Sequence, residues 1–157
     1  MKQFMQTHKV YLTPLSPIHI GCGEDFEPTN YVIDGTTLFN FEPSQLVLNE
    51  REKTELVNAI NRLDLLAIQR FFLNQKDKAI ACSYHFADVS DGLAQDYKSR
   101  VGKVAQRESD GNKVINNLSI ERTAFLPVHH LPYIPGSGVK GAVATALLDQ
   151  AHQNKNT

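Results

Sequence analysis

Cysteine is scarce in this chain of 157 residues: Cys22 and Cys82 are the two it has, far apart and without C-x-x-C spacing. That pattern excludes a disulfide framework and a zinc ribbon and leaves two small free thiols. Long apolar runs are missing as well. No stretch approaches the roughly 18 residues that a membrane-spanning helix requires, and Met1 to Lys9 has no secretory hydrophobic core, so a cytoplasmic protein with no membrane partner is expected. There is no low-complexity tract and no repeat with a period of about 20 to 50 residues. What is left, 41% hydrophobic and 21% charged, is an ordinary globular composition long enough for about one domain.

Net charge is nearly absent too, at −1, but its distribution is uneven. Lys2 and Lys9 face Glu24, Asp25, Glu27, Asp34, Glu42 and Glu50 in the first 50 residues. Between 98 and 122 the balance reverses, with Lys98, Arg100, Lys103, Arg107, Lys113 and Arg122 against Glu108, Asp110 and Glu121. A local cationic cluster can attract a polyanion even when the whole chain is neutral, because the field decays within a Debye length of about 8–10 Å. A solvated charged face is the commoner outcome.

The basic stretch leads to Tyr133-Ile134-Pro135-Gly136-Ser137-Gly138-Val139-Lys140-Gly141-Ala142. Gly136 and Gly138 permit positive φ and close backbone approach, the helix that follows offers unpaired N–H groups to an anion, and Lys140 adds a mobile charge. Val139, Ala142, Val143, Ala146 and Leu147 repeat with helical period beyond the loop. A closely packed turn that binds nothing fits these residues equally well. Two nucleotide motifs are excluded. Lys140 precedes Gly141 and no Ser or Thr comes next, so this is no Walker loop; and the glycines lie outside any βαβ pattern, so it is no dinucleotide fingerprint.

Elsewhere, His8 to Leu15 alternates and reads as a first strand, Ile18 to Gly23 passes into a glycine turn, and Tyr31 to Phe41 reads as a hairpin with Asp34-Gly35 at its tip. From Arg51 to Asn74, Leu56, Ile60, Leu63, Ala67 and Phe71 recur with helical spacing, and Asp64 is placed to cap Ala67 and restart a second helix. Asp88 to Asn117 is polar, with Asp91-Gly92 and Asp110-Gly111 turns, and reads as a long loop with room for one short helix. Leu118 to Phe125 alternates as a strand, with Leu118, Ile120 and Arg122 on one face.

Two of these phrases together resemble the RAMP superfamily of CRISPR proteins. Leu15-Ser16-Pro17-Ile18-His19-Ile20-Gly21-Cys22-Gly23, followed by Asn30 to Asp34, is similar to its amino-terminal signature, and Ile120 to Phe125 through Ala142 is similar to its glycine-rich loop and first helix. Their combination resembles the fifth subunit of the Csm complex, the type III-A RNA-guided effector. The resemblance implies an α+β, ferredoxin-like (RRM-type) fold, truncated after its first core helix. Its parts would be a β-rich section over 1–42, a large helical insertion over 43–87, a basic loop over 88–117, and a strand, glycine loop and helix over 118–151. It also implies a non-catalytic subunit, without cofactor or metal, that caps a filament of Csm subunits and holds the 3′ region of the CRISPR RNA. Two positions depart from the family pattern, Gly138 standing where a second Ser is usual and Ala144 where an Arg is usual.

On that reading the RNA-binding residues would be His19, Gly21, Gly23, Arg122, Gly136, Ser137, Gly138, Lys140 and Gly141. Amides of Gly136 to Gly138 would hold a phosphate, Lys140 and Arg122 would add charge, and the Gly21 to Gly23 turn would admit a second phosphate. His19, Tyr31 and Tyr133 are candidates to stack on an unpaired base. Such contacts are sequence-tolerant, which suits a guide whose spacer varies. Two alternatives stay open: a metal-independent CRISPR-RNA-processing endoribonuclease of the same superfamily, using His19, His129 or His130, and a structural module that assembles with partners. A target-cleaving subunit, with an acidic residue such as Asp25 or Asp34 in an early loop, is a weaker rival, because Asp34 is better explained as a hairpin tip.

Overall fold

A computed structural model describes residues 9, 11–107, 113–116 and 118–153. In chain order the elements are β1 (Gly21–Phe26), β2 (Tyr31–Asp34), β3 (Thr37–Phe41), a 3-10 turn (Pro43–Gln45), α1 (Glu50–Asn61), α2 (Leu65–Asn74) and α3 (Lys76–Ala81). After them come β4 (Ser83–Asp88), α4 (Asp91–Arg100), β5 (Val104–Arg107), β6 (Lys113–Ile115), β7 (Ile120–Thr123) and α5 (Gly136–Gln153). The architecture is α+β and every ladder is antiparallel.

The predicted hairpin forms the centre. Asp34 pairs with Thr37, leaving Gly35 and Thr36 as a two-residue turn, and β4 joins the far side of β3 to make the order β2-β3-β4. Because strand side chains alternate, this sheet feeds two cores. Tyr31, Ile33 and Leu38 pack with Phe26, Tyr97, Val101 and Leu118 on one face. Val32 and Phe41 pack with Leu46, Phe71, Phe72 and Ala79 on the other. Burial on both faces accounts for the continuous apolar run of β2.

The helix pair is where the periodicity placed it. Asn49 and Glu52 form a capping box at the start of α1, and the Ala67 N–H donates to Asp64 Oδ1 at 3.0 Å at the start of α2. Gln69, on the buried side of α2, accepts from the Gly102 N–H at 3.0 Å and so ties the helix pair to the turn after α4.

Four expectations are corrected. Lys9 and Tyr11 to Leu15 form no strand, since no neighbouring strand pairs with them among the described residues; Tyr11, Leu12 and Leu15 are exposed. The start of that segment lies outside the described residues. Gly21 to Gly23 is no turn but the opening of β1, where a bulge between Gly21 and Asp25 places Gly23 at φ 76°. The helical section stops at Ala81 and gives way to β4, whose Ser83–Asp88 alternates in burial because one side faces the sheet interior. The basic region is not a long loop: Ser90 caps α4, so Asp91-Gly92 opens a helix, and β5 pairs with β6. The Asp110-Gly111 turn lies outside the described residues.

Tyr31 joins the two halves of the chain. Its hydroxyl donates to the Leu118 carbonyl at 2.7 Å, in a buried site that pushes the phenol's pKa upward. Tyr31→Phe leaves that carbonyl unpaired and is expected to cost about 1–3 kcal/mol. In urea unfolding the midpoint should fall with an unchanged m-value; an unchanged midpoint would show that the bond contributes nothing.

Candidate nucleic-acid interface

The two motifs separated by a hundred residues meet in one ladder. β1 and β7 pair with Gly21 opposite Thr123, Asp25 opposite Glu121 and Phe26 opposite Ile120. The connection extends past the strand ends: the Ala124 N–H donates to the Ile20 carbonyl at 2.6 Å, and the Tyr133 N–H donates to the Ala124 carbonyl at 3.1 Å. Gly136 is three residues beyond Tyr133, so it lies within about 11 Å of that anchor. His19, the Gly21–Gly23 segment and Arg122 are therefore brought together, and the start of α5 is tethered beside them.

At α5 the glycines sit inside the helix. Neither Gly136 nor Gly138 has positive φ; the Gly138 and Val139 N–H groups donate to the Pro135 carbonyl at 2.9 and 3.3 Å, closing the first turn. The expected left-handed loop is replaced by a helical start because Pro135 fixes the entry and no downstream contact demands a reversal. Gly136, Ser137, Gly138, Lys140 and Gly141 are all exposed. So is the helix as a whole, none of whose residues is buried.

Arg122 behaves differently from the surface cation the sequence suggested. It is buried, with 9% exposure, and its guanidinium carbon lies 3.5 Å from the Phe125 ring centroid and 4.9 Å from that of Phe26. Alternation along β7 turns it inward, while Glu121 faces out, 3.6 Å from His19 Nε2. That exposed pair contributes little. Cys22 Sγ is 3.3 Å from the Arg122 carbonyl.

Sheet β2-β3-β4 and the β1-β7 ladder enclose a cleft of about 510 Å³ into which Arg122, His19, His85, His130 and Phe125 all project. His130 sits in the turn between Phe125 and Pro132 at φ 52°, within 4.6 Å of the Tyr84 ring and 6.0 Å of the Phe125 ring. Its neighbour His129 is exposed.

Residues 11–157 match the family model of the RAMP superfamily. The chain belongs to the RAMP superfamily. RAMP domains have a ferredoxin-like fold, and the α+β, antiparallel architecture agrees with it. This RAMP chain is similar to a protein of Methanocaldococcus jannaschii named CRISPR system Cms protein Csm5, at 27% identity over 154 residues. The match covers 90% of this chain and 30% of that relative. No solved structure matches this chain. Among the described residues of the RAMP chain, no helix is long and apolar enough to cross a membrane.

Sequence reasoning missed His85 and Phe125, because β4 was hidden in the helical section and Phe125 lay at a strand end. Desolvation in the cleft, the Arg122 charge and His130 beside it together hold the His85 pKa below its usual value. A depressed pKa contributes stability that is fully present above about 6.5 and is lost as pH falls below it, because the unfolded chain takes the proton first. Urea midpoints should therefore drop between about pH 7.5 and about pH 5.5, and by less in His85→Gln. Equal drops in both proteins would place the sensitivity elsewhere.

Proposed function

We propose that this chain supplies RNA-contacting structure to a subunit of a type III-A (Csm) CRISPR effector, holding the 3′ region of CRISPR RNA at one end of the assembled filament. The role is binding without cleavage, in the cytoplasm, in contact with other Csm subunits, and it serves guide maturation and antiviral defence. One observation carries the reading: the β1-β7 ladder joins the two RAMP motifs into a single surface, with the start of α5 tethered next to it. Family membership and the similarity to Csm5 support it.

In this arrangement the amides of Gly136 and Ser137 and the exposed ammonium of Lys140 address one phosphate, and the Gly21–Gly23 segment, open to solvent, lets the backbone approach a second. His19 and Tyr133, both exposed, are available to stack on an unpaired base. Gly141 keeps the next turn small. Fluorescence anisotropy with labelled guide RNA tests the reading: Lys140→Ala should weaken binding about equally for unrelated spacers, as loss of a phosphate contact does. Loss confined to one spacer sequence would overturn phosphate recognition.

A second reading has its own observation. His19, His85 and His130 line one cleft, and two imidazoles could act as base and acid on a ribose 2′-hydroxyl. Cleavage of repeat RNA in EDTA, abolished by His19→Ala, would favour that endoribonuclease over the binding subunit.

A further inference from the structure

We propose that the cleft between the two sheets is a binding site for one nucleoside monophosphate unit, with a phosphate oxygen at Arg122 Nη2 and the base against the apolar and aromatic wall.

The starting point is a side chain whose bonding is incomplete. Arg122 is nine-tenths buried and its Nη2 has no hydrogen-bond partner among the described residues. Nor does Arg122 form an ion pair with a carboxylate among them. A guanidinium cannot shed its proton, so burying it without an acceptor is costly. The rings of Phe125 and Phe26 hold its faces and offset part of that cost, but a ring face does nothing for an in-plane donor such as Nη2. An anionic oxygen in the cleft would satisfy them, and guanidinium to phosphate is among the strongest of such bonds. His130 Nδ1 is a second buried polar atom without a partner, on the same wall.

The rest of the cleft decides what carries the anion. Phe26, Leu38, Ala87, Val89, Ile120 and Phe125 make much of its lining. A hydrated inorganic ion gains nothing from such walls, whereas a base gains burial and stacking. The cleft volume, about 510 Å³, lies in the range of small-molecule sites and is too large for phosphate alone. Asp88 and Glu121, at its edge, disfavour a polyphosphate and suit one phosphate with a polar base edge.

This deepens the RNA-binding reading and rests on it where the nucleotide belongs to an RNA strand; a free nucleotide would bring the same chemistry. The test is equilibrium dialysis of the 157-residue chain against labelled AMP, adenosine and inorganic phosphate. AMP is expected to bind at least about tenfold more tightly than either part, and Arg122→Gln to weaken it by about tenfold or more. AMP no tighter than phosphate, or indifferent to Arg122→Gln, would overturn the proposal. Should Arg122→Gln fail to fold, His130→Ala at the wall and Arg122→Lys, which keeps the charge but not the fork, must each weaken AMP several-fold; no loss in either overturns it. A short single-stranded RNA that displaces AMP identifies the strand as the source, and no displacement identifies a free nucleotide. RNA binding without AMP binding would sink the cleft alone, and AMP binding without RNA binding would sink the subunit reading alone.

Discussion

Between about 50 and about 200 mM salt, the affinity of this chain for single-stranded guide RNA is expected to fall about 7-fold. The figure follows from counterion release at a slope near −0.7 per neutralised phosphate, with about two phosphates engaged, one at the start of α5 and one at the Gly21–Gly23 segment. Lys140 is one contributor, exposed on the first turns of α5, where the helix dipole adds to its field. Replacing it with alanine should flatten the slope by about 0.7, so the variant and the parent converge at high salt. Anisotropy titrations at four salt concentrations read both quantities. Affinity that holds constant across that range would remove phosphate recognition, and with it the proposed function.

Phe41→Ala is expected to cost about 3–5 kcal/mol, enough to unfold much of the population if the parent's stability is near the low end of the usual 5–15 kcal/mol. The Phe41 side chain is fully buried, 5.4 Å from the Phe72 ring, in the core where α2 and α3 meet β3. Truncation removes a whole ring from a site walled by the sheet on one side and two helices on the other, so collapse into the cavity is limited. Phe86 provides the control, since it stands on the neighbouring strand of the same sheet but is exposed, and Phe86→Ala should change stability by no more than about 0.5 kcal/mol. Thermal melts followed by circular dichroism distinguish the two. Similar midpoints for both variants would mean that the second core is not what holds the sheet.

What could be read in the sequence was local. The hairpin at Gly35, the capping of α2 by Asp64 and the shared face of Leu118, Ile120 and Arg122 all depend on residues within a few positions of one another. The misses depended on distant partners. Tyr11 and Leu12 have the alternation of a strand, yet a strand exists only where a neighbour takes its hydrogen bonds. β4 has the same alternation inside helical surroundings, and it is its register against β3 that gives it a place in the sheet. The glycines at 136 and 138 satisfy a loop and a helix start equally, and Pro135 decided for the helix. Arg122 is the instructive residue at the site: its charge suggested a surface contact, while its parity along β7 had already turned it inward.

The exposure of α5 has a thermodynamic corollary. Its 18 residues bury none of their number, and three glycines in the first two turns each cost roughly 1 kcal/mol relative to alanine, so little beyond its own ladder keeps the helix ordered. Whatever docks on Val143 and Leu147 would therefore also sharpen an anion's grip on the first turn, and the anion would favour the docking by the same factor. Occupancy at one end of the helix and on its side would then be linked without either ligand touching the other.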